Sequence, residues 1–122
     1  MLISPNENAV FYDIDNTLVL WTKYRTKKSI QIRDPYGNAL CRLLPHEGHI
    51  RLLKRHSAQG ILVFVWSRGG VRWAEKIVKI LKLTKYIYAI IPKVKDYVDD
   101  VPIEEWGHIR TYLKNGYGKN PK

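Results

Sequence analysis

Val10-Phe11-Tyr12-Asp13-Ile14-Asp15-Asn16-Thr17-Leu18-Val19 starts as a buried strand and runs out in acids. Val10, Phe11, Tyr12 and Ile14 are β-branched or aromatic, and the Pro- and Asn-containing leader before them stops regular structure from starting earlier. Asp13 and Asp15 therefore fall at the strand's end. Side chains two apart on a strand share a face, so the two carboxylates would crowd one volume and repel unless a positive charge lies between them. Mg2+ suits that position, because it takes hard oxygen ligands and is commonly held by one or two carboxylates together with substrate phosphate oxygens. Asn16 and Thr17 can fix the turn by hydrogen bonding. The same residues also read as a polar loop carrying a helix N-cap, and the rest of the chain has to decide between the two.

With 122 residues, the chain has room for one domain and a real core but not for a catalytic domain plus a separate lid domain. Its longest apolar run, Ile61 to Trp66, is far below a membrane span, and the start lacks the basic-then-apolar layout of a signal peptide. A cytoplasmic protein with no membrane partner is expected. Cys41 is the sole cysteine, which excludes an internal disulfide and a cysteine-based zinc site. His46 and His49 lie three apart near a helix start, but no third ligand is nearby to complete a metal site. Lys plus Arg number 21 against 11 Asp plus Glu, a formal net charge of +10. Such a field favours anionic partners: nucleotides, nucleic acid or other phosphorylated molecules.

After the opening strand, Leu20 to Lys28 is basic with Trp21 and Tyr24 among its cations. Ser29 to Arg33 alternates apolar with polar, Asp34-Pro35-Tyr36-Gly37-Asn38 reads as a turn, and Ala39 to Leu44 returns, which predicts a β-hairpin flap over about residues 20–45. Pro45 opens a helix through Gln59, with Ile50, Leu53 and Leu52 as its inward candidates and Gly60 as its stop. Ile61 to Trp66 is apolar on both faces, as a central parallel strand should be, and ends in Ser67-Arg68-Gly69-Gly70. Ala74, Ile77, Val78 and Leu81 recur at helical spacing within a helix from Val71 to Leu83. Tyr86 to Ile91 reads as a third strand stopped by Pro92, and Tyr97-Val98 as a fourth leading into Asp99-Asp100. A last helix is expected from Ile103 to Leu113, then a loose basic tail over about 114–122. Strands alternating with helices argue for an α/β fold, a three-layer sandwich around a small parallel Rossmann-like sheet, in one domain over residues 1–122.

The carboxyl ends of neighbouring strands in an open parallel sheet surround one crevice, so groups distant in sequence converge there. Asp13-Ile-Asp15-Asn-Thr17-Leu18, then Ser67 after a hydrophobic run, then Lys93, then Asp99-Asp100, resemble the four motifs of the haloacid dehalogenase superfamily of phosphohydrolases, across about Val10 to Pro102. The resemblance implies Asp13 as a nucleophile that becomes an aspartyl-phosphate, and Asp15 as the acid/base that protonates the leaving oxygen and then activates water. Ser67 and the N–H groups opening the next helix would supply donors to the phosphoryl oxygens, and Lys93 a positive charge shared with Asp13. Asn16, Thr17, Arg68, Gly69 and Trp21 are the candidate substrate contacts. By the same resemblance Mg2+ is held by Asp13, by the backbone carbonyl of Asp15 and by an acid of the fourth motif, Asp100, with Asp99 in support. The third motif departs from the usual Lys-Pro order, since Pro92 precedes Lys93, and Lys95 competes for its place.

Neither interval between motifs holds a cap domain, and capless members of the superfamily have open sites. The resemblance therefore implies a Mg2+-dependent phosphomonoesterase acting on nucleotides. Phosphorylated polynucleotide ends are the alternative substrate, with Trp21, Tyr24 and Tyr36 available to stack a base. A non-catalytic nucleic-acid-binding module is the competing class, although a binder gains nothing from four acids at an anion site.

Overall fold

Six strands and two α-helices succeed one another along residues 8–105 and 110–114, which the computed structural model describes. In chain order they are β1 (Ala9–Asp13), β2 (Val19–Trp21), β3 (Ile30–Arg33), β4 (Leu40–Pro45), α1 (Glu47–Ala58), β5 (Leu62–Ser67), α2 (Val71–Ile80) and β6 (Ala89–Pro92). The fold is a small α/β domain with one parallel and one antiparallel sheet.

The parallel sheet has the order β1-β5-β6. Its middle strand is paired on both edges and so has the continuous apolar run expected of it. Tyr12, Val63 and Val65 alternate onto one face and are buried with Leu53 of α1 and Ala74, Ile77 and Val78 of α2. Each of the buried Val, Leu and Ile side chains among them stabilises the fold by about 1.5–3 kcal/mol. The strands are added in a single direction across the sheet, so two right-handed crossovers leave α1 and α2 on the same face. The Tyr12 hydroxyl meets Nδ1 of His56 in α1 at 2.7 Å. On the opposite face Phe11 stacks on Phe64, with ring centroids 4.9 Å apart, and packs against Trp66 at 4.4 Å. The described residues thus build one helical layer on the parallel sheet rather than the expected two.

Between β1 and α1 lies the antiparallel sheet, in the order β2-β4-β3. Ile32, Cys41 and Leu43 are buried, while Gln31 and Arg42 turn outward and bond each other at 2.9 Å. The predicted hairpin is present as β3 and β4. Its turn is tied by Asp34, whose carbonyl accepts the Asn38 N–H at 2.8 Å and whose carboxylate accepts the Tyr36 N–H at 2.9 Å. Strand β2 was not expected, and it adds a third strand along β4. The root of this flap is closed by the His46 N–H, which donates to the Leu18 carbonyl at 2.8 Å.

Helix α1 starts two residues later than expected, because Pro45 belongs to β4 and His46 acts as N-cap. Gly60 follows at φ 81°, and the Ile61 N–H reaches back to the His56 carbonyl at 3.0 Å, a left-handed stop of the kind glycine permits. Helix α2 ends at Ile80, and a 3-10 turn at Thr84–Tyr86 precedes β6, so the third strand begins later than its apolar run suggested.

Two expectations fail. Tyr97-Val98 forms no strand and is exposed, Val98 completely so. Only three residues separate Lys93 from Tyr97, too short a reach to cross the sheet to the open edge of β1 and start a strand there. Where the last helix is expected to start, Ile103–Glu105 form a 3-10 turn. Residues 110–114 have no regular structure, while residues 106–109 and the expected tail beyond Lys114 lie outside the described residues. Among the described residues no helix is long and apolar enough to cross a membrane.

Candidate active site

The register of the parallel sheet brings its carboxyl ends together. Asp13 closes β1 opposite Trp66, Ser67 closes β5 opposite Pro92, and Lys93 follows β6 directly. By strand alternation Asp13 belongs to the face of Phe11 and Trp66, and Ser67 to the face of Val63 and Val65, so they enter the crevice from opposite sides of the sheet.

Lys93 Nζ lies 3.8 Å from Oδ1 of Asp13 and stands over the Trp66 ring at 5.9 Å. Lys95, its competitor, is exposed. The Lys93 backbone N–H donates to the Ser67 carbonyl at 3.2 Å, which fixes where the lysine leaves the sheet. Burial pushes the Asp13 carboxyl above its ordinary value. The Lys93 ammonium, the Ile14 N–H and the Thr17 hydroxyl pull the other way, and the neighbouring Asp15 charge adds to the rise.

Beyond Asp13 the chain leaves the strand for a tight turn. The Ile14 carbonyl accepts the N–H groups of Thr17, Leu18 and Val19 at 3.0–3.2 Å, and Asn16 takes a positive φ of 60°. This turn carries the Thr17 hydroxyl to 3.4 Å from Oδ2 of Asp13. Asp15 therefore lies past the strand's end, not on it. Its Oδ1 accepts two indole N–H groups, from Trp21 and from Trp73 of α2, each at 3.0 Å, and the two indoles stack with centroids 6.0 Å apart. Trp73 was missed in the sequence, where it reads only as one more apolar residue on a helix face. Trp21 was assigned to substrate, yet it bonds Asp15 while remaining half-exposed.

Ser67 is buried, and its Oγ accepts the Gly69 N–H at 2.9 Å. The space beside Gly69 is already taken, since a Cβ there would come within 2.9 Å of the Trp73 ring. Gly70, the N-cap of α2, has φ 97° and lies under the Tyr36 ring. The Tyr36 hydroxyl accepts the Arg72 N–H at 3.0 Å, and the Arg72 guanidinium packs on the same ring. The hairpin tip is thus docked on the start of α2, next to the exposed Arg68. Lys76 adds a second tie through the Arg33 carbonyl at 2.7 Å.

The fourth motif does not arrive. Asp99 and Asp100 are exposed, and the Asp99 carboxylate is turned to its own backbone, accepting the Val101 N–H at 2.9 Å. Among the described residues no three His, Cys, Asp or Glu side chains gather as metal ligands, so the expected four-acid cluster is not assembled. Of the expected oxygen ligands, the Asp13 carboxylate and the backbone carbonyl of Asp15 remain at the end of β1 and in the turn that follows it. That set fits a Mg2+ ion that keeps several waters and draws further oxygens from a phosphorylated substrate.

No protein-family model matches the chain, and no curated protein matches its sequence.

Proposed function

We propose that this protein is a phosphomonoester hydrolase of the haloacid dehalogenase type, dependent on Mg2+ and acting on nucleotides through an aspartyl-phosphate on Asp13. The observation that carries this reading is the Asp13–Lys93 contact of 3.8 Å at the carboxyl ends of β1 and β6, the two parallel strands that flank β5. A carboxylate attacks phosphorus only where the approaching negative charges are neutralised. Lys93 supplies such a charge beside the attacking oxygen, and the start of α2 adds the positive end of its dipole.

Asp13 attacks phosphorus as the bond to the leaving oxygen breaks, and Asp15 gives that oxygen its proton. Two indole N–H groups occupy Oδ1 of Asp15, so the transferred proton belongs on Oδ2. Asp15 then takes a proton from water, which attacks the phosphoryl group and releases phosphate and the free Asp13 carboxylate. Mg2+, held by the Asp13 carboxylate and the Asp15 backbone carbonyl, would offset charge on the phosphoryl oxygens. Thr17 holds the Asp13 carboxylate in orientation, and Ser67 fixes the loop that opens α2.

The net charge of +10 and the exposed Trp21, Tyr24 and Tyr36 favour nucleotides over uncharged metabolites. A phosphorylated polynucleotide end is the second reading, favoured by the exposed basic run Lys23, Arg25 and Lys27. The test is a phosphatase assay with Mg2+ across mononucleotides, 3′- and 5′-phosphorylated oligonucleotides and sugar phosphates. Turnover is expected with the nucleotides and its loss in Asp13→Asn, whose amide cannot act as an anionic nucleophile. No turnover of any substrate, or an unimpaired Asp13→Asn, refutes the proposal.

A further inference from the structure

His46 and His49 take no part in the chemistry, yet they are buried almost completely at the start of α1. Every ring nitrogen of the pair has a partner, and backbone N–H groups, which can only donate, fix both tautomers. His46 Nδ1 accepts the His49 N–H at 3.1 Å, so its ring proton is on Nε2 and is donated to the Leu113 carbonyl at 2.9 Å. His49 Nε2 accepts the Leu113 N–H at 2.8 Å, so its proton is on Nδ1 and is donated to the Thr17 carbonyl at 2.7 Å. The rings stack with centroids 3.7 Å apart. Tyr112 packs edge-on against both, and its hydroxyl donates to the Asn16 carbonyl at 3.0 Å.

Two consecutive carbonyls of the turn after Asp15 are therefore held from outside the turn, one by α1 and one by the chain near its C-terminal end. These are the residues that need holding. Asn16 is at positive φ, and the Thr17 hydroxyl faces the Asp13 carboxylate. We propose that His49 and Tyr112 are positioning residues for phosphoryl transfer, setting the Asn16-Thr17 turn against Asp13, while His46 keeps the 112–113 segment in reach. The proposal rests on the phosphohydrolase reading for its catalytic consequence, but the positioning itself is a property of the turn. Burial holds the His49 imidazole below its ordinary pKa, in keeping with a neutral ring that accepts and donates at once.

Two substitutions at one position divide the role. In His49→Asn the amide nitrogen stands near the place of Nδ1 and keeps the donor to Thr17, but the bond to Leu113 is lost. In His49→Gln the longer amide reaches Leu113 and leaves the Thr17 carbonyl without its donor. Misplacement of a catalytic group by about 1 Å costs up to about a hundredfold. We expect His49→Gln to lower kcat about tenfold or more with KM changed less than about threefold, and His49→Asn to keep kcat within about threefold of the wild type. Tyr112→Phe removes a single hydroxyl from a half-buried side chain and provides the variant least exposed to misfolding. Its kcat should fall in the same sense.

Amide hydrogen exchange gives a reading independent of turnover. Thr17, Leu18 and Val19, whose N–H groups bond the Ile14 carbonyl, should exchange faster in His49→Gln and Tyr112→Phe than in His49→Asn. Equal exchange at these amides in all three variants overturns the positioning role. Altered exchange with kcat values that merely follow each variant's stability overturns its part in the reaction. If the wild type hydrolyses no phosphomonoester, the functional reading falls, and the exchange rates still decide whether His49 and Tyr112 hold the turn.

Discussion

Gly70→Ala should destabilise the protein by about 2–5 kcal/mol, through two separable causes. Gly70 has φ 97° and ψ 162°, a region essentially restricted to glycine, and forcing another residue into it costs of order 1–3 kcal/mol. The new methyl group would also enter the space of the Tyr36 phenol and expel it. Expulsion gives up the hydrogen bond from the Arg72 N–H, about 0.5–1.5 kcal/mol. It also gives up the Arg72 contact with the ring, about 0.5–1 kcal/mol at an exposed site. The second group of losses exists only while Tyr36 is present, so a double-mutant cycle with Tyr36→Ala isolates it. Urea denaturation followed by tryptophan fluorescence should show a coupling of about 1–2.5 kcal/mol between the two positions, with Gly70→Ala milder in the Tyr36→Ala background. An equal cost in both backgrounds would mean that the hairpin tip does not rest on Gly70, and the docked flap would be refuted.

Other consequences are open to direct measurement. Lys93→Met removes the charge that draws the Asp13 pKa down, so the acid limb of kcat/KM should move to higher pH, and an unmoved limb would separate Lys93 from Asp13. Trp21→Phe deletes one of two donors that orient Asp15 at an exposed site, and should lower kcat roughly fivefold while costing no more than about 1 kcal/mol of stability; a response in KM alone would return Trp21 to substrate binding. His49 has its pKa lowered by burial, so the unfolded chain binds protons more readily than the native one. Its share of stability should be intact above about pH 6.5 and be lost as pH falls through the lower native value. A Tm that rises on acidification from pH 7 to 5, or that falls equally in His49→Asn, contradicts this.

The core strands were legible because their apolar runs are long and sharply bounded: β1 by Asp13, β5 by Ser67, with the hairpin marked by Asp34 to Asn38. The family resemblance implied Lys93 beside Asp13, and the parallel sheet brings its Nζ to 3.8 Å from that carboxylate. Tyr97-Val98 misled because β propensity is local, whereas a strand needs an edge within reach. The pairing of Asp15 with Trp21 and Trp73 escaped because hydropathy patterns register an indole as bulk and ignore its single N–H. The histidines were weighed as metal ligands. Their partners, Thr17 and Leu113, are backbone groups 32 and 64 residues distant in sequence from His49, and no side-chain motif announces a backbone acceptor.

The bond from His46 to Leu18 closes the flap at its root, where the chain enters and leaves within one hydrogen bond. A lid that swings needs two free strands at a hinge, and here both are pinned beside the turn that carries Asp15. Any opening must instead travel inward from the tip, as Tyr36 lifts from α2 and the hairpin peels back towards its root at His46. For the phosphate monoesters proposed above as substrates, access would then be graded: a slender one would need only the tip displaced, while a bulkier one would have to unzip further and spend binding energy on each rung. Size selection on this protein would accordingly be set by the stability of a hairpin and be tunable by substitutions in strands that never touch the substrate.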